Sequence, residues 1–531
     1  MGEIQEFDVV VAGGGHNGLA CAAYLAKAGL RVLVVEGREI LGGDTTTEPL
    51  TLPGFRHDPC ATAFELFQTS PTIRNDELGL QHRGLRFLYP DPVVTMPFED
   101  GTSLTMWRDR QRTIREIARF SHHDAEAYQE LLAEYDSIKE IFNAHRYTPI
   151  GYGPSLEERL DTLPNGSYWK RRYRQSALEI ITEYFEDDHV RAFMLWLAFM
   201  TLQPVDRPYT GRLAYALPHG RQTNSWTLPA GGAGVLPGLL AEIIQEKGGA
   251  IRTGRWVVEL LMENERCVGV RTADGSVYRA RRAVVSSIHI KHLVDMAPRE
   301  AWGEAFLKGV AQWQAGCTMF VAHYALREPP RYPVNGEPLP VVTAGIAGST
   351  DNLLRLMSDF RRGQLHLDTP VLLVLTPSVE DPNRAPQGYH TLKVVSFLPY
   401  ELAGGDPSRW DTLKEDVARQ LLDHLRHFAP NLRDEVILAH YVESPLDLER
   451  RNPHNWHGTC HGGDMSPAQS DELRPVPGWA THRMPIPGLY QTGSTTHPGG
   501  SVTAGPGRNA AWVILDDLGM PAEAILRAPL S

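Results

Sequence analysis

The chain has 531 residues, 42% of them hydrophobic, which is enough for two or three domains with sizeable cores. Its net charge of −12 argues against nucleic acid as a partner, because no basic field would draw in a polyanion. The five cysteines form no C-x-x-C pair, which excludes a dithiol centre of that kind and a zinc ribbon, and suits a reducing cytosol. From the start of the chain, an apolar strand at 9–11 enters a glycine turn with Gly13, Gly15 and Gly18 in G-x-G-x-x-G spacing. An alanine-rich helix over 19–28 ends at Gly29, and a second strand over 31–35 stops at Glu36. Gly13 allows the tight turn, Gly15 lets the backbone approach a pyrophosphate, and Gly18 lets the helix pack close to the strand. The helix N-terminus offers free N–H groups and partial positive charge to phosphates, and Glu36 can accept from a ribose 2′-hydroxyl. Strand, turn, helix, strand and acid in this order predict a dinucleotide site.

Residues 72–220 change character, with charged, aromatic helical stretches at 113–120 and 124–142 and no further Rossmann-type units. The longest apolar run, 192–202, is too short to cross a bilayer and reads as a buried helix or the wall of a substrate channel. A basic cluster at 170–174 could touch an anionic membrane surface, but reads first as a solvated helix face. After the glycine-rich stretch 228–236 comes an amphipathic helix to Lys247, capped by Gly248 and Gly249. Strands are expected at 250–253, 256–263 and 266–272, then an Asp274–Gly275 hairpin turn, a strand at 277–280 and a returning strand at 283–286. Beyond residue 301, strands at 318–326, 371–376 and 391–398 alternate with helices. The clearest helix, 409–428, is expected to be capped by Ser408 with Asp411 three residues on. Proline-rich loops at 329–340 and 475–487 punctuate this region. The short acidic start, residues 1–7, carries no secretory signal pattern and no myristoylation signal at Gly2.

The residues beyond Glu36 decide which dinucleotide is bound. A second glycine pair, Gly42 and Gly43, precedes Thr-Thr-Thr-Glu at 45–48 and Pro-Gly-Phe-Arg-His-Asp at 53–58. This run resembles the FAD-binding segment of the flavoprotein group that includes amine oxidases and phytoene desaturases, so FAD is the expected cofactor. No second complete glycine fingerprint exists, which makes a separate NAD(P)H domain unexpected and leaves reoxidation to oxygen, a quinone or another diffusible acceptor. Near the other end, a strand at 489–492 enters the loop Gly-Ser-Thr-Thr-His-Pro-Gly-Gly-Ser-Val-Thr (493–503), and a helix begins near Gly505. A helix start there can offset negative charge developing on a reducing flavin. These blocks, with Pro229–Gly234 and the Arg474–Pro475 turn, resemble the phytoene desaturase-like flavoproteins over nearly the whole length. Asp44 stands where carotenoid enzymes usually carry a basic residue, which weakens any carry-over of a carotenoid substrate. Ser494 stands where many relatives have aspartate.

The fold expected is α/β, with a Rossmann-like FAD-binding domain built from 1–71, 221–300 and 475–531, and an inserted α+β substrate-binding domain from 72–220 and 301–474. The resemblance implies a cofactor-binding set of Gly13, Gly15, His16, Asn17, Gly18, Glu36, Gly37, Arg38, Gly42, Gly43, Asp44 and Thr45. From the later blocks it adds Val258, Ser286, Gly493, Ser494, Gly500, Ser501, Val502 and Thr503, with Ser287 near the cofactor. Arg508 and Asn509 are expected to satisfy phosphate or backbone groups. His497 is the expected catalytic group at the ring edge, as acid/base or as a tuning hydrogen-bond partner; a loop-propping role is the alternative. The loop carrying His454, His457, Cys460 and His461 lacks fixed helical ligand geometry, so no metal is expected. Hydride transfer from a lipophilic or aromatic small molecule to flavin N5 is the expected reaction, in a cytoplasmic enzyme with possible peripheral contact to a membrane. Amine oxidase-like C–N oxidation, a flavin-dependent isomerase and a non-catalytic binding protein on the same scaffold are the alternatives.

Overall fold

Val9, Val10, Val11 and Ala12 are all buried, as a strand covered on both faces must be. They belong to the strand Gln5–Ala12 in a computed structural model that describes residues 5–530. Residues 1–4, on which the targeting expectation rests, lie outside the described residues. Val32–Val35 pairs parallel on one side of this strand and Val277–Ser286 on the other. Ala250–Arg252 extends the first edge, and Leu489–Gln491 pairs parallel with the end of Val277–Ser286. An antiparallel pair, Arg266–Thr272 and Val257–Glu263, completes a seven-stranded sheet. Residues 277–286, expected as two strands, run as one, because the same strand serves both the antiparallel hairpin and the parallel core.

The helix His16–Lys27 is buried from Asn17 to Ala26, between the terminal helix Gly505–Asp517 and the helix Val235–Glu246. Small residues make this approach possible. A Cβ on Gly507 would stand 2.3 Å from the Asn17 carbonyl oxygen and 3.0 Å from the Cys21 nitrogen.

A second seven-stranded sheet runs, in spatial order, Ile437–Glu443, Phe320–Leu326, His390–Ser396, Leu372–Leu375, Thr343–Ile346, Val94–Pro97 and Ser103–Met106. The last two strands lie in the stretch 72–220, where helical segments but no particular strands were expected. The helices Arg110–Ala118, His122–Arg146 and Asp188–Phe199 belong to the same apolar core as this sheet. The apolar run is thus a buried helix, and Met200, Thr201 and Leu202 beyond it face a cavity.

Three local expectations are corrected. Trp410–Phe428 is a helix with Trp410, Val417, Leu421 and Leu425 buried, but Ser408 does not cap it. Asp406 accepts from the Ser408 N–H and caps a preceding 3₁₀ turn instead. The proline-rich stretch 329–340 contains a two-stranded hairpin, Arg331–Val334 with Glu337–Pro340. Leu228–Pro229 is a short strand against Phe87–Leu88, where no strand was expected. The basic helix Gly166–Arg174 is largely neutralised in place: Lys170 pairs with Asp161 at 2.7 Å, Arg172 with Glu183 at 2.5 Å and Arg174 with Glu157 at 2.7 Å. Among the described residues no helix is long and apolar enough to cross a membrane.

Candidate functional site: two joined cavities

The glycine turn makes one wall of a cavity of about 360 Å³. Gly13 holds φ +101°, the left-handed turn that ends the first strand. A Cβ on Gly18 would meet the Gly13 carbonyl oxygen at 2.3 Å, so the helix seats against the turn only without one. The second glycine pair folds back onto the first. Gly42 N–H donates to Gly14 O at 2.8 Å, and Gly43 Cα lies 4.0 Å from where a Gly15 Cβ would stand. Glu36 closes the far side. Its Oε2 accepts from Gly14 N–H at 2.6 Å and its Oε1 from Arg38 N–H at 2.7 Å, while burial pushes its pKa up.

Of the expected cofactor set, Gly13, Gly15, His16, Asn17, Gly18, Glu36, Gly37, Arg38, Gly42, Gly43 and Asp44 line this cavity, with Gly493, Ser494, Gly500 and Ser501. Val258, expected to offer a backbone contact, is 48% exposed and its neighbour Val257 lines the wall. Ser286 is buried, its Oγ accepting from Ile288 N–H, and Ser287, also expected near the cofactor, lines the wall. Trp256, His289, His292 and Asn452 also face the cavity and were not anticipated. The residues suit an extended dinucleotide with a pyrophosphate. The helix start at Gly15 presents its N–H groups, the glycine wall is open, and Asn17 Oδ1 is buried without a protein partner.

A second cavity of about 210 Å³ shares His16, Asp44, Cys460, Gly500 and Ser501 with the first, so the two adjoin at these residues. Thr45, Val502 and Thr503 line it as well. Its far walls are mostly apolar and come from the helices and the second sheet, among them Leu213, Leu217, Trp226, Leu375 and Phe397. Lys393 enters from the strand His390–Ser396. Its Nζ donates to Cys60 O at 2.5 Å and Thr62 Oγ1 at 3.2 Å, and burial lowers its pKa. Asp44 accepts from Asn452 Nδ2 at 2.9 Å and Asn455 Nδ2 at 3.0 Å, and burial raises its pKa. Cys60 and Cys460 both line this cavity, and the neighbouring Cys460 together with burial pushes the pKa of the Cys60 thiol up.

The terminal loop is held from behind. Arg474, buried, donates to the carbonyls of Ser494, Asp464, Gln469 and His461, and burial lowers its pKa to about 9. His454 Nε2 lies 2.5 Å from Ser494 Oγ, so that hydroxyl is already engaged by the protein. His497 lines neither of these two cavities. It borders a small third one of about 80 Å³, with Nε2 3.1 Å from His145 O and Nδ1 3.4 Å from Asp471. Gly500, Ser501, Val502 and Thr503, from the same loop, line the second cavity instead. Arg508 is not free for a phosphate; it pairs with Glu77. The 454–461 loop scatters its histidines: His457 stacks on Tyr400 at 4.9 Å, and His461 lines the second cavity.

Burial lowers the pKa of His16, His454, His461 and His482 to about 4. Unfolded, each titrates near 6.5. Below that value the unfolded chain binds more protons, so stability is fully present above pH 6.5 and is lost as pH falls towards 4. Each such histidine contributes a slope of about 1.4 kcal/mol per pH unit in that window. The melting temperature should therefore drop steeply between pH 6.5 and 4.5, and a flat profile in differential scanning fluorimetry would contradict these assignments.

A family model described as flavin containing amine oxidoreductase matches residues 18–515. A limonene dehydrogenase polypeptide of Castellaniella defragrans is 28% identical, covering 98% of this chain and 96% of its own. The lycopene-forming phytoene desaturase of Pseudescherichia vulneris is 24% identical over 96% of this chain and 99% of its own. An oxidoreductase from Methanosarcina mazei, 18% identical, shares the fold with a TM-score of 0.61 over 97% of this chain and 100% of that one.

Proposed function

The chain belongs to the family of flavin-containing amine oxidoreductases, and from that premise we propose that it is a dehydrogenase, desaturase or oxidase of a lipophilic or aromatic small molecule held in the second cavity. It is a phytoene desaturase-like, FAD-dependent oxidoreductase. One observation carries the substrate assignment: a largely apolar cavity adjoins the glycine-lined one, with Gly500, Ser501 and His16 in the walls of both. Relatives named for limonene and phytoene support the same class. The cofactor would lie along the residues of the first cavity, with Glu36 at the ribose and the helix start at the pyrophosphate. When bound, FAD supplies a two-electron acceptor for hydride from the substrate carbon.

The protein's own part is to orient and to exclude water. The apolar walls fix the substrate's body and keep solvent from the reacting carbon. Arg474 holds the carbonyls of the terminal loop, so that Gly500–Thr503 presents a fixed edge at the junction. Lys393 is the group suited to hold and release a proton at Nζ, since it borders the cavity and burial eases its deprotonation. His497 acts as a positioning residue, tying the terminal loop to the helix His122–Arg146.

All seven strands of the first sheet fall in 1–71, 221–300 and 475–531, and all seven of the second in 72–220 and 301–474, which supports a division into cofactor and substrate domains at those limits. Oxygen or a quinone completes the cycle as acceptor, in a cytoplasmic enzyme. The test is anaerobic bleaching of the yellow holoenzyme by a panel of polyenes, aromatic alcohols and amines. A lipophilic donor should bleach the flavin, Lys393→Met should slow the bleaching by about 100-fold, and His497→Ala should slow it less. Bleaching by amines alone would favour C–N oxidation, and no bleaching by any donor would favour a binding protein or an isomerase.

A further inference from the structure

Arg146 and Arg212 both line the second cavity, and both also line the small third one. Among the described residues neither has a carboxylate within ion-pair distance. Arg212 lies over the Phe142 ring at 5.5 Å, and burial together with Arg212 lowers the pKa of Arg146. The other charges here are already committed. Glu65 takes Arg221 at 2.9 Å, and Lys393 is turned to Cys60 O and Thr62 Oγ1. Asp44 is held by two side-chain amides. Asp471, across the third cavity, lies 2.9 Å from His145 and 3.4 Å from His497, and accepts from Tyr173 Oη at 3.4 Å. His16 and His461 are neutral at pH 7 because burial lowers both to about 4.

Two neighbouring guanidiniums against an apolar cavity repel each other and are partly stripped of water, a cost that an added carboxylate reverses. We propose that the substrate is an amphipathic acid, whose apolar body fills the second cavity and whose carboxylate is bound by Arg146 and Arg212. The residues joining this cavity to the first (His16, Asp44, Cys460, Gly500, Ser501) are distinct from those joining it to the third, Arg146 and Arg212 among them. Neither arginine is in the wall shared with the first cavity, so in this proposal the carbon chain, not the charged end, is set against that wall. A cationic amine would be repelled at the same place. The inference rests on the reading of the second cavity as the substrate site of an FAD enzyme.

The experiment titrates FAD-loaded protein with decanoate, decanol and decylamine and follows the perturbation of the flavin spectrum. Decanoate should bind at least about tenfold more tightly than decanol, as a charge-assisted pair requires, and decylamine more weakly than both. Arg212→Lys should keep most of that preference, while the double variant Arg146→Met, Arg212→Met should abolish it and still bind decanol. Equal binding of decanoate and decanol, a preference for decylamine, or a decanoate preference that survives in the double variant would each overturn the acid assignment. Protein that takes up no FAD would instead remove the cofactor reading beneath it, so the two failures are told apart.

Discussion

Gly15→Val should yield a folded protein that purifies colourless. Gly15 has φ −64° and ψ 160°, an extended conformation that valine adopts freely. The nearest protein atom to its added Cβ is Gly43 Cα at 4.0 Å, so the side chain would project into the first cavity without displacing any wall. The fold should bear only the loss of a good helix-capping residue, about 1 kcal/mol. The cofactor has no such latitude. A branched side chain between the two glycine segments blocks backbone approach to a pyrophosphate, and FAD affinity should fall at least about 100-fold, roughly 2.7 kcal/mol. Gly18→Val provides the contrast: its Cβ would collide with Gly13 O at 2.3 Å, and it should damage the fold as well. Far-UV circular dichroism separates the two variants, and flavin titration measures the loss. A yellow Gly15→Val protein with wild-type affinity would show that the dinucleotide lies elsewhere.

The glycine turn was readable because everything that defines it is local. Strand, turn, helix, strand and acid sit within about 30 consecutive residues, the span of one βαβ unit, and backbone geometry alone dictates which of them are glycine. Which side chains face the cavity at Val257-Val258 and Ser286-Ser287 was less legible: strand residues alternate in face, and neither pair differs in polarity, so composition sets no phase. The second cavity was illegible because its walls come together only in three dimensions, from residues as distant as His16, Arg146, Lys393 and Ser501. Lys393 did leave a signal, a lone cation in the apolar run Thr-Leu-Lys-Val-Val; a buried strand rarely carries one without a use for it. At His497 the motif named the right loop but not the side chain's surroundings, since His145 O and Asp471 come from other segments.

Arg508→Met should be strongly destabilising although it lies outside the two cavities, and the reason again is a contact that local sequence does not reveal. Arg508, on the terminal helix, donates from Nε and a terminal nitrogen to the two oxygens of Glu77 at 2.7 and 2.9 Å, and to Tyr147 O at 3.2 Å. Glu77 is fully buried and also accepts from Tyr24 Oη, on the first helix, at 2.6 Å. The pair therefore ties the terminal helix, the first helix and the end of the helix His122–Arg146 together behind the cofactor cavity. Methionine fills much of the arginine's volume but leaves a carboxylate buried with one hydroxyl for company. Breaking a buried pair from one side costs about 3–5 kcal/mol, whereas replacing both partners by apolar groups is often close to neutral. The double variant Arg508→Met, Glu77→Met should accordingly regain most of the stability lost in the single one, read as the shift in urea midpoint at constant slope. The single variant should also hold FAD less firmly, because the helix that starts at Gly505 is the one that backs Ser501–Thr503. If single and double variants lose the same stability, packing rather than the ion pair fixes the helix.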